Sequence, residues 1–481
     1  MKPLCGTLLA FLLLVAPRAS SQSPDGPWVG AISIMGTEIK IMVTFAASGD
    51  SVSASIDIPQ QGAMGLPLRN VSWRPPKAHF ELPSGLGLAV FDGTVLKDSI
   101  NGYFTQAGMT GSFRLEKGKD VRAVASPAPP EPPPPYRVEE VTFNADSVRI
   151  AGTLTVPPGK GRHPAVVLIP GSGAHNRDEE LFGFKPFFLI ADHFTRHGLA
   201  VLRVDDRGVG GSTGSKVLST TADHAEDMLS AVRFLKGRPD INPAQIGFCG
   251  HSEGGIIAPI AAAKSKDVAF IVLLAGPAVS GDKLILFQLE SLMREGKAGE
   301  DKIQKTLDQQ RRLFQCVRTG QGWDLLAEGF KKEIAASFAS LPPGARKGIS
   351  DSAAFVNSNV ETRLASARTP WFRYFIDFDP APTLEKVACP VLALFGELDM
   401  QVPVSLNRKP MEEVLAKSKT KDWNVEVLPK ANHLFLTAVT GSPSEYAGLE
   451  KKFVPGFLDL MTGWITKRVS VLSGGAGGRG N

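Results

Sequence analysis

One short stretch limits this chain more than any other. The strand-like run Gln245–Cys249 passes directly into Gly250-His251-Ser252-Glu253-Gly254-Gly255, and an Ala/Ile-rich stretch with helical character follows at once. A G-x-S-x-G pattern between a strand and a helix forces a turn so sharp that its central serine is lifted out of the backbone. Only glycine at the flanks lets strand and helix approach closely enough, and the helix N-terminus that follows favours negative charge beside the serine. Ser252 is therefore the candidate nucleophile, and the surrounding sequence has to supply a sheet with crossover helices to hold it.

The rest of the C-terminal part reads that way. Apolar strand-like runs at Ala165–Pro170, Leu199–Val204, Ile246–Cys249, Phe270–Leu274, Val391–Phe395 and Val425–Leu428 alternate with helical stretches at Phe188–His197, Ala222–Lys236, Gly254–Lys264 and Phe453–Lys467. Such alternation implies crossover units, and near-continuous apolar strands imply a mainly parallel sheet covered by helices on both faces. One interruption breaks the rhythm. From about Ser280 to Thr383 the chain is charged and helix-like (LILFQLESLMREG, EDKIQKTLDQQRRLF, WDLLAEGFKKEIAASF), which predicts a helical cap inserted between two strands.

Upstream the texture differs. Between residues 22 and 120, alternating runs at Ile39–Phe45, Ser51–Pro59, His79–Pro83, Ala89–Leu96, Ile100–Gln106 and Thr110–Leu115 are separated by turn residues, predicting a small antiparallel β domain, a sandwich or half-barrel. Its one histidine, His79, has no obvious partner in the sequence. The proline-rich stretch Ala125–Pro135, within a linker over 121–136, can neither pair in a sheet nor continue a helix and reads as a semi-rigid spacer. The catalytic unit then spans 137–470, with the cap over about 280–383, and a glycine-rich tail over 471–481 is expected to be flexible.

The first 21 residues carry Lys2, the apolar run Leu8–Ala16 and the small residues Ala19-Ser20-Ser21, the pattern of a cleaved secretory signal. No stretch reaches the ~20 apolar residues needed for a membrane-spanning helix. The sequence thus predicts an exported protein, periplasmic or secreted, with no stable membrane insertion. Lys+Arg total 53 and Asp+Glu 48; the net charge of +5 becomes +3 once Lys2 and Arg18 leave with the signal, which excludes a strong polyanion binder and argues against a nucleic-acid partner. Cys249, Cys316 and Cys389 are widely spaced and fit neither a disulfide framework nor metal ligation; Cys249 and Cys389 border apolar runs and read as core.

A serine nucleophile needs a base and the base needs an orienting carboxylate. Of the eight histidines only His433 lies beyond the late strands, in Lys430-Ala-Asn-His-Leu-Phe435 after the Val425–Leu428 run. His251 adjoins the nucleophile on a diverging turn and is expected to pack or orient the elbow. His193 and His197 stand one helical turn apart without a third ligand nearby and read as helix surface. Asp399 follows the Val391–Phe395 strand and is the candidate acid; Glu397 competes with it, and Asp377 and Asp379 are weaker candidates. Two backbone N–H groups must hold the oxyanion. One is assigned to Glu253, the other to Ser172 in Gly171-Ser172-Gly173. No cofactor and no metal are required.

At this point the residues resemble a known superfamily. LIPGSGAHNRDE, VLRVDDRGVGGSTG, IGFCGHSEGG, ALFGELDMQVP and KANHLF resemble, in order, the oxyanion loop, the turn after a central strand, the nucleophile elbow, the acid turn and the histidine loop of α/β-hydrolases, over about two thirds of the chain. The chain is most similar to exported bacterial carboxylesterases with a β-rich N-terminal domain, near the dienelactone-hydrolase-like and serine-aminopeptidase-like branches. Ser…Asp…His is the order of that superfamily. Many relatives carry His-Gly before the oxyanion residue where this chain has Pro170-Gly171, and the turn that holds Asp205, Asp206 and Arg207 is usually structural. The resemblance implies a small-molecule ester substrate. A peptidase on the same fold is the alternative, and a non-catalytic binding protein on a hydrolase scaffold a third reading. Aromatic and aliphatic cap residues (Phe287, Leu292, Phe314, Trp323, Phe330, Trp371, Phe372, Tyr374) would either line an apolar acyl pocket or form the cap's own core.

Overall fold

The computed structural model describes residues 23–34, 37–49, 51–58, 63–84, 87–106, 109–118, 133–340 and 352–474, except 182, 217 and 447. The expected signal segment, nearly all of the proline-rich linker and most of the glycine-rich tail lie outside the described residues. Nine strands, β1 (Gly26–Ile34), β2 (Thr37–Ser48), β3 (Ser51–Ile58), β4 (Ala63–Pro67), β5 (Arg69–Arg74), β6 (Lys77–Ser84), β7 (Gly87–Leu96), β8 (Ser99–Gln106) and β9 (Met109–Lys117), form one antiparallel sheet. Their order is β4-β3-β2-β1-β9-β8-β7-β6-β5. Edge strand β5 lies against β3, next to the opposite edge, so the sheet rolls around a single core. Alternating inward residues (Trp28, Phe45, Phe80, Phe91, Phe113) fill that core, with Phe80 and Phe91 stacked at 4.8 Å. This is the expected small β domain, built as one rolled sheet.

The outward face of β6 and β7 gives His79 the partners that the sequence hides. Its Nδ1 lies 2.7 Å from Asp92 Oδ1 and its Nε2 3.4 Å from Glu81 Oε1. Glu81 is two residues along the same face of β6, and Asp92 is brought alongside by register, since His79 pairs with Asp92 across β6 and β7.

The C-terminal sheet comprises β10 (Arg137–Ala145), β11 (Val148–Val156), β12 (His163–Ile169), β13 (Ala200–Val204), β14 (Ile241–His251), β15 (Ile271–Leu274), β16 (Val391–Gly396) and β17 (Trp423–Leu428), in the order β10-β11-β13-β12-β14-β15-β16-β17. β10–β11–β13 pair antiparallel and the remaining neighbours parallel, a mixed, mainly parallel sheet. The central strands are buried along their whole length, which is why they read as unbroken apolar runs. Helices α1 (Pro186–Arg196), α2 (Thr221–Lys236) and α3 (Gly254–Lys264) follow β12, β13 and β14. α1 begins on a proline, whose fixed φ suits a first turn. α2 starts in a capping box between Thr220 and Asp223. α3 is apolar all round and wholly enclosed up to Ala262. Cys249 and Cys316 are buried free thiols and Cys389 is half-buried; burial raises the pKa of Cys389 to about 12 and that of Cys249 further.

Between β15 and β16 the chain leaves the sheet and forms helices over Gly281–Glu295, Glu300–Thr319, Trp323–Ser340, Ser352–Ala367, Pro370–Asp377 and Ala381–Leu384. They enclose a core of their own, with Phe314, Phe330 and Ile376 at its centre. The last helix, Phe457–Gly474, runs four residues into the stretch expected to be tail.

His79 gives the β domain a pH dependence. Burial lowers its pKa, but the hydrogen bonds and charges of Asp92 and Glu81 outweigh that and raise it to about 9. An unfolded histidine titrates near 6.5, so this stabilisation is complete below about pH 6.5 and is lost as pH rises through about 9. Thermal unfolding followed across that interval should show a fall in the midpoint for the native chain, and a flatter profile for His79→Gln.

Candidate active site

β14 ends at His251, and Ser252 follows with φ 54°, in the left-handed region that a non-glycine residue rarely enters. Its N–H donates to Leu274 O of β15 at 2.8 Å, locking the turn to the neighbouring strand. The flanking glycines are sterically required. A Cβ on Gly250 would stand 2.1 Å from Gly254 O, and one on Gly254 2.2 Å from Ile169 O of β12. Holding Ser252 there costs on the order of 1–3 kcal/mol, offset by the packing around it. Its hydroxyl makes no hydrogen bond among the described residues, as is common for a nucleophile without substrate.

Asp399 and His433 are brought together from the loops after β16 and β17. Asp399 Oδ1 accepts the Gln401 and Val402 N–H groups at 2.7 and 2.9 Å, which aims Oδ2 at His433 Nδ1, 2.8 Å away. A carboxylate only accepts, so Nδ1 carries the proton and Nε2 is the free base. Both side chains are almost fully enclosed. Asn432 Oδ1 shapes the histidine loop by accepting from Leu434 and Leu436 N–H, each at 3.0 Å. The competing acids face elsewhere. Glu397 accepts the Lys430 N–H at 2.8 Å, Asp377 pairs with Arg318, and Asp379 accepts the Ala381 N–H.

The loop after β12 is fastened by carboxylates. Arg177 binds Asp205 through its guanidinium and its own N–H, and also reaches Glu140. The His175 N–H donates to Asp206 Oδ2 at 2.9 Å, while Lys216, fully enclosed, donates to Asp206 Oδ1 at 2.9 Å. Arg207 grips Asp227 through two bonds of 2.7 Å. Asp205 and Asp206 thus clamp the loop after β12, and Arg207 ties the same turn to α2. Among the described residues the Ser172 and Glu253 N–H groups have no acceptor, whereas the Gly171 N–H is taken by Glu179 Oε1 at 2.7 Å.

Glu179 and the role of His251 escape the sequence. His251 Nδ1 lies 2.9 Å from Glu179 Oε1, its Nε2 lies 2.9 Å from His433 O, and its ring centroid is 4.7 Å from that of His433. Burial pushes the Glu179 pKa up, but the charge and hydrogen bond of His251 outweigh it and hold Glu179 below the usual carboxylate range. Burial likewise lowers His251, and Glu179 more than reverses that. The acid in Asn176-Arg-Asp-Glu179 was visible, but nothing in its spacing connects it to residue 251.

Two contacts join the helical insertion to this region. Trp371 Nε1 donates to Glu253 Oε1 at 2.8 Å, alongside the Thr221 hydroxyl at 2.7 Å. Gln288 Nε2 donates to Gln401 O at 2.8 Å. Phe314, Trp323, Phe330 and Phe372 belong to the insertion's own core, and Leu292 is exposed. His193 and His197 stack at 4.3 Å, with His197 Nδ1 donating to the His193 carbonyl. No group of three or more His, Cys, Asp and Glu side chains among the described residues is arranged to hold a metal ion, and no helix there is long and apolar enough to cross a membrane.

A serine between a strand and a helix, with an acid and a histidine after β16 and β17 of a mainly parallel sheet, is the arrangement of an α/β-hydrolase fold. Residues 166–448 match the model of the alpha/beta hydrolase family, and the chain belongs to that family. Esterase EstD of Thermotoga maritima is 27% identical over 339 residues, covering 70% of this chain and 69% of that one. Among solved structures, alpha/beta hydrolase GrgF from Penicillium sp. sh18 is similar with a TM-score of 0.40 at 19% identity, over 62% of this chain and 91% of that chain. Est1E from Butyrivibrio proteoclasticus, solved with ferulic acid bound, has a TM-score of 0.39 at 17% identity, over 68% and 96%.

The elbow geometry sets a stability contrast. Gly254→Ala should destabilise by about 3 kcal/mol or more, because its Cβ meets backbone that has no freedom to retreat. Gly463→Ala, in the open interior of the last helix, should be neutral or stabilising by up to about 1 kcal/mol. Denaturant unfolding of the two variants measures the difference.

Proposed function

We propose that this chain is a serine esterase that hydrolyses small carboxylic esters through an acyl-enzyme. The observation that carries the reading is the Asp399–His433 pair: a buried, carboxylate-oriented imidazole with Nε2 free, whose backbone carbonyl lies 2.9 Å from the ring of His251, the neighbour of a serine in the left-handed elbow. Ser252 Oγ attacks the ester carbonyl carbon as His433 Nε2 takes its proton. Asp399, held by two backbone N–H groups, keeps the imidazole in the working tautomer and stabilises its charged form. The Ser172 and Glu253 N–H groups face the developing oxyanion. Collapse of the tetrahedral intermediate expels the alcohol, protonated by His433. Water then adds to the acyl-enzyme with His433 again as base, and the acid leaves with the proton returned to Ser252. EstD, similar across about two thirds of both chains, is named an esterase, which supports an ester over an amide substrate.

Export is part of the proposal. Lys2, the Leu8–Ala16 run and Ala19-Ser20-Ser21 support removal of residues 1–21; intact-mass analysis of the exported protein should give a chain beginning at Gln22.

Hydrolysis of p-nitrophenyl butyrate should fall by about 10⁴-fold or more in kcat for Ser252→Ala and His433→Ala, and by about 10⁴-fold for Asp399→Asn, with folding retained. A fluorophosphonate probe should label the native chain at Ser252 and leave Ser252→Ala untouched. Retained turnover in Ser252→Ala would remove the assignment, and faster cleavage of aminoacyl-p-nitroanilides than of esters would shift it to a peptidase.

A further inference from the structure

We infer that Glu179 and His251 act as one charged brace that positions the catalytic histidine loop and the oxyanion loop around Ser252. The inference rests on the Ser252–His433–Asp399 reading and extends it to two positioning residues. Both ring nitrogens of His251 face acceptors, Glu179 Oε1 and the His433 carbonyl, each at 2.9 Å. A neutral imidazole has one N–H, so both bonds require the imidazolium, with Glu179 supplying the opposite charge. The same Glu179 oxygen takes the Gly171 N–H at 2.7 Å. One ion pair therefore holds residues from the loop after β12, the elbow and the loop after β17. The second Glu179 carboxylate oxygen is enclosed with no hydrogen-bond partner among the described residues. A neutral hydrogen-bonding pair would fill the space without burying two charges, so packing alone does not account for this choice.

The placement suits the reaction. The His251 Nε2–H holds the backbone of the very residue that acts as base, and His251 adjoins Ser252 in the chain, so base and nucleophile are referred to one rigid ring. The His251 ring also stands 4.7 Å from the His433 ring, so the two imidazoles pack directly against each other. The other groups facing this cluster are Asp399 on His433, Tyr446 on the His433 backbone, and His175 near Glu179.

The test uses the full-length chain, p-nitrophenyl acetate and the variants His251→Gln, Glu179→Gln and the double variant. His251→Gln leaves a buried carboxylate without its cation. We expect kcat about 100-fold lower with KM within about threefold. Removing the orphaned charge as well, in Glu179→Gln/His251→Gln, should restore kcat about tenfold over His251→Gln, a rescue that independent packing roles would not produce. If His251→Gln fails to fold, the double variant carries the test: a folded protein by circular dichroism, with kcat still about tenfold below native. Native kcat in His251→Gln, losses that multiply in the double variant, or a double variant with native kcat would each overturn the brace. Fluorophosphonate labelling of the native chain separates the two readings. Absence of label at Ser252 removes the triad itself, whereas label at Ser252 with unaffected brace variants removes only the brace.

Discussion

The end of the sheet that carries the candidate site depends on one close crossing of backbone. The start of α3 passes under β12 and against the last turn of β14 so tightly that neither Gly250 nor Gly254 has room for a Cβ. This crossing forces Ser252 into its left-handed conformation and turns its side chain out of the strand. Bulk at either glycine would open the turn and lower the serine back toward the sheet. The bond from the Ser252 N–H to Leu274 O then fixes the elbow to β15, so the residue is held by the two strands beside β14 together. Because β12, β14 and β16 run parallel, the loops that carry Gly171, Ser252 and Asp399 leave from the same edge of the sheet. The geometry of the site is thus a consequence of sheet topology plus two missing side chains.

That dependence explains what was readable in advance. The elbow, the acid turn and the histidine loop were legible because each is a local device: glycines at fixed spacing, or a polar residue directly after a buried apolar strand. β12 to β16 were legible for the same reason, since strands enclosed on both faces leave continuous apolar runs. The β10–β11 hairpin was not. β10 alternates buried and exposed residues like the strands of the N-terminal domain, and nothing local says that it joins the second sheet as an antiparallel edge. His79 gave no sign of its partners because Asp92 reaches it through register across two strands. Glu179 was hidden by the same kind of distance, lying 72 positions from the histidine it holds.

The buried charges around the site follow a common pattern. Asp205, Asp206, Glu179 and Glu253 are all enclosed beside the loops that present the candidate catalytic groups, and each holds a backbone or side-chain donor from a neighbouring loop. Hydrogen bonds to charged acceptors are the strong, directional ones, which suits loops that must not drift. The arrangement is expensive. Glu179 Oε2 and Glu253 Oε2 are enclosed without partners among the described residues, so the region gives up stability that an apolar packing would have kept. Such expense concentrated at one edge of the sheet marks it as the part of the molecule shaped by something other than folding.

The helical insertion belongs to the same economy of fixed points. Most of its aromatic residues are spent on its own core, which makes it a body able to hold its shape apart from the sheet. Two of its polar contacts fall on residues adjacent to the proposed machinery: Trp371 on Glu253, the neighbour of Ser252, and Gln288 on Gln401, whose N–H orients Asp399. A displacement of the insertion would therefore be transmitted to Glu253 and, through Gln401, to Asp399. On the proposed mechanism, substrate that seats the insertion correctly also completes the alignment of these groups, so that selection of the ester and its hydrolysis are governed by the same contacts.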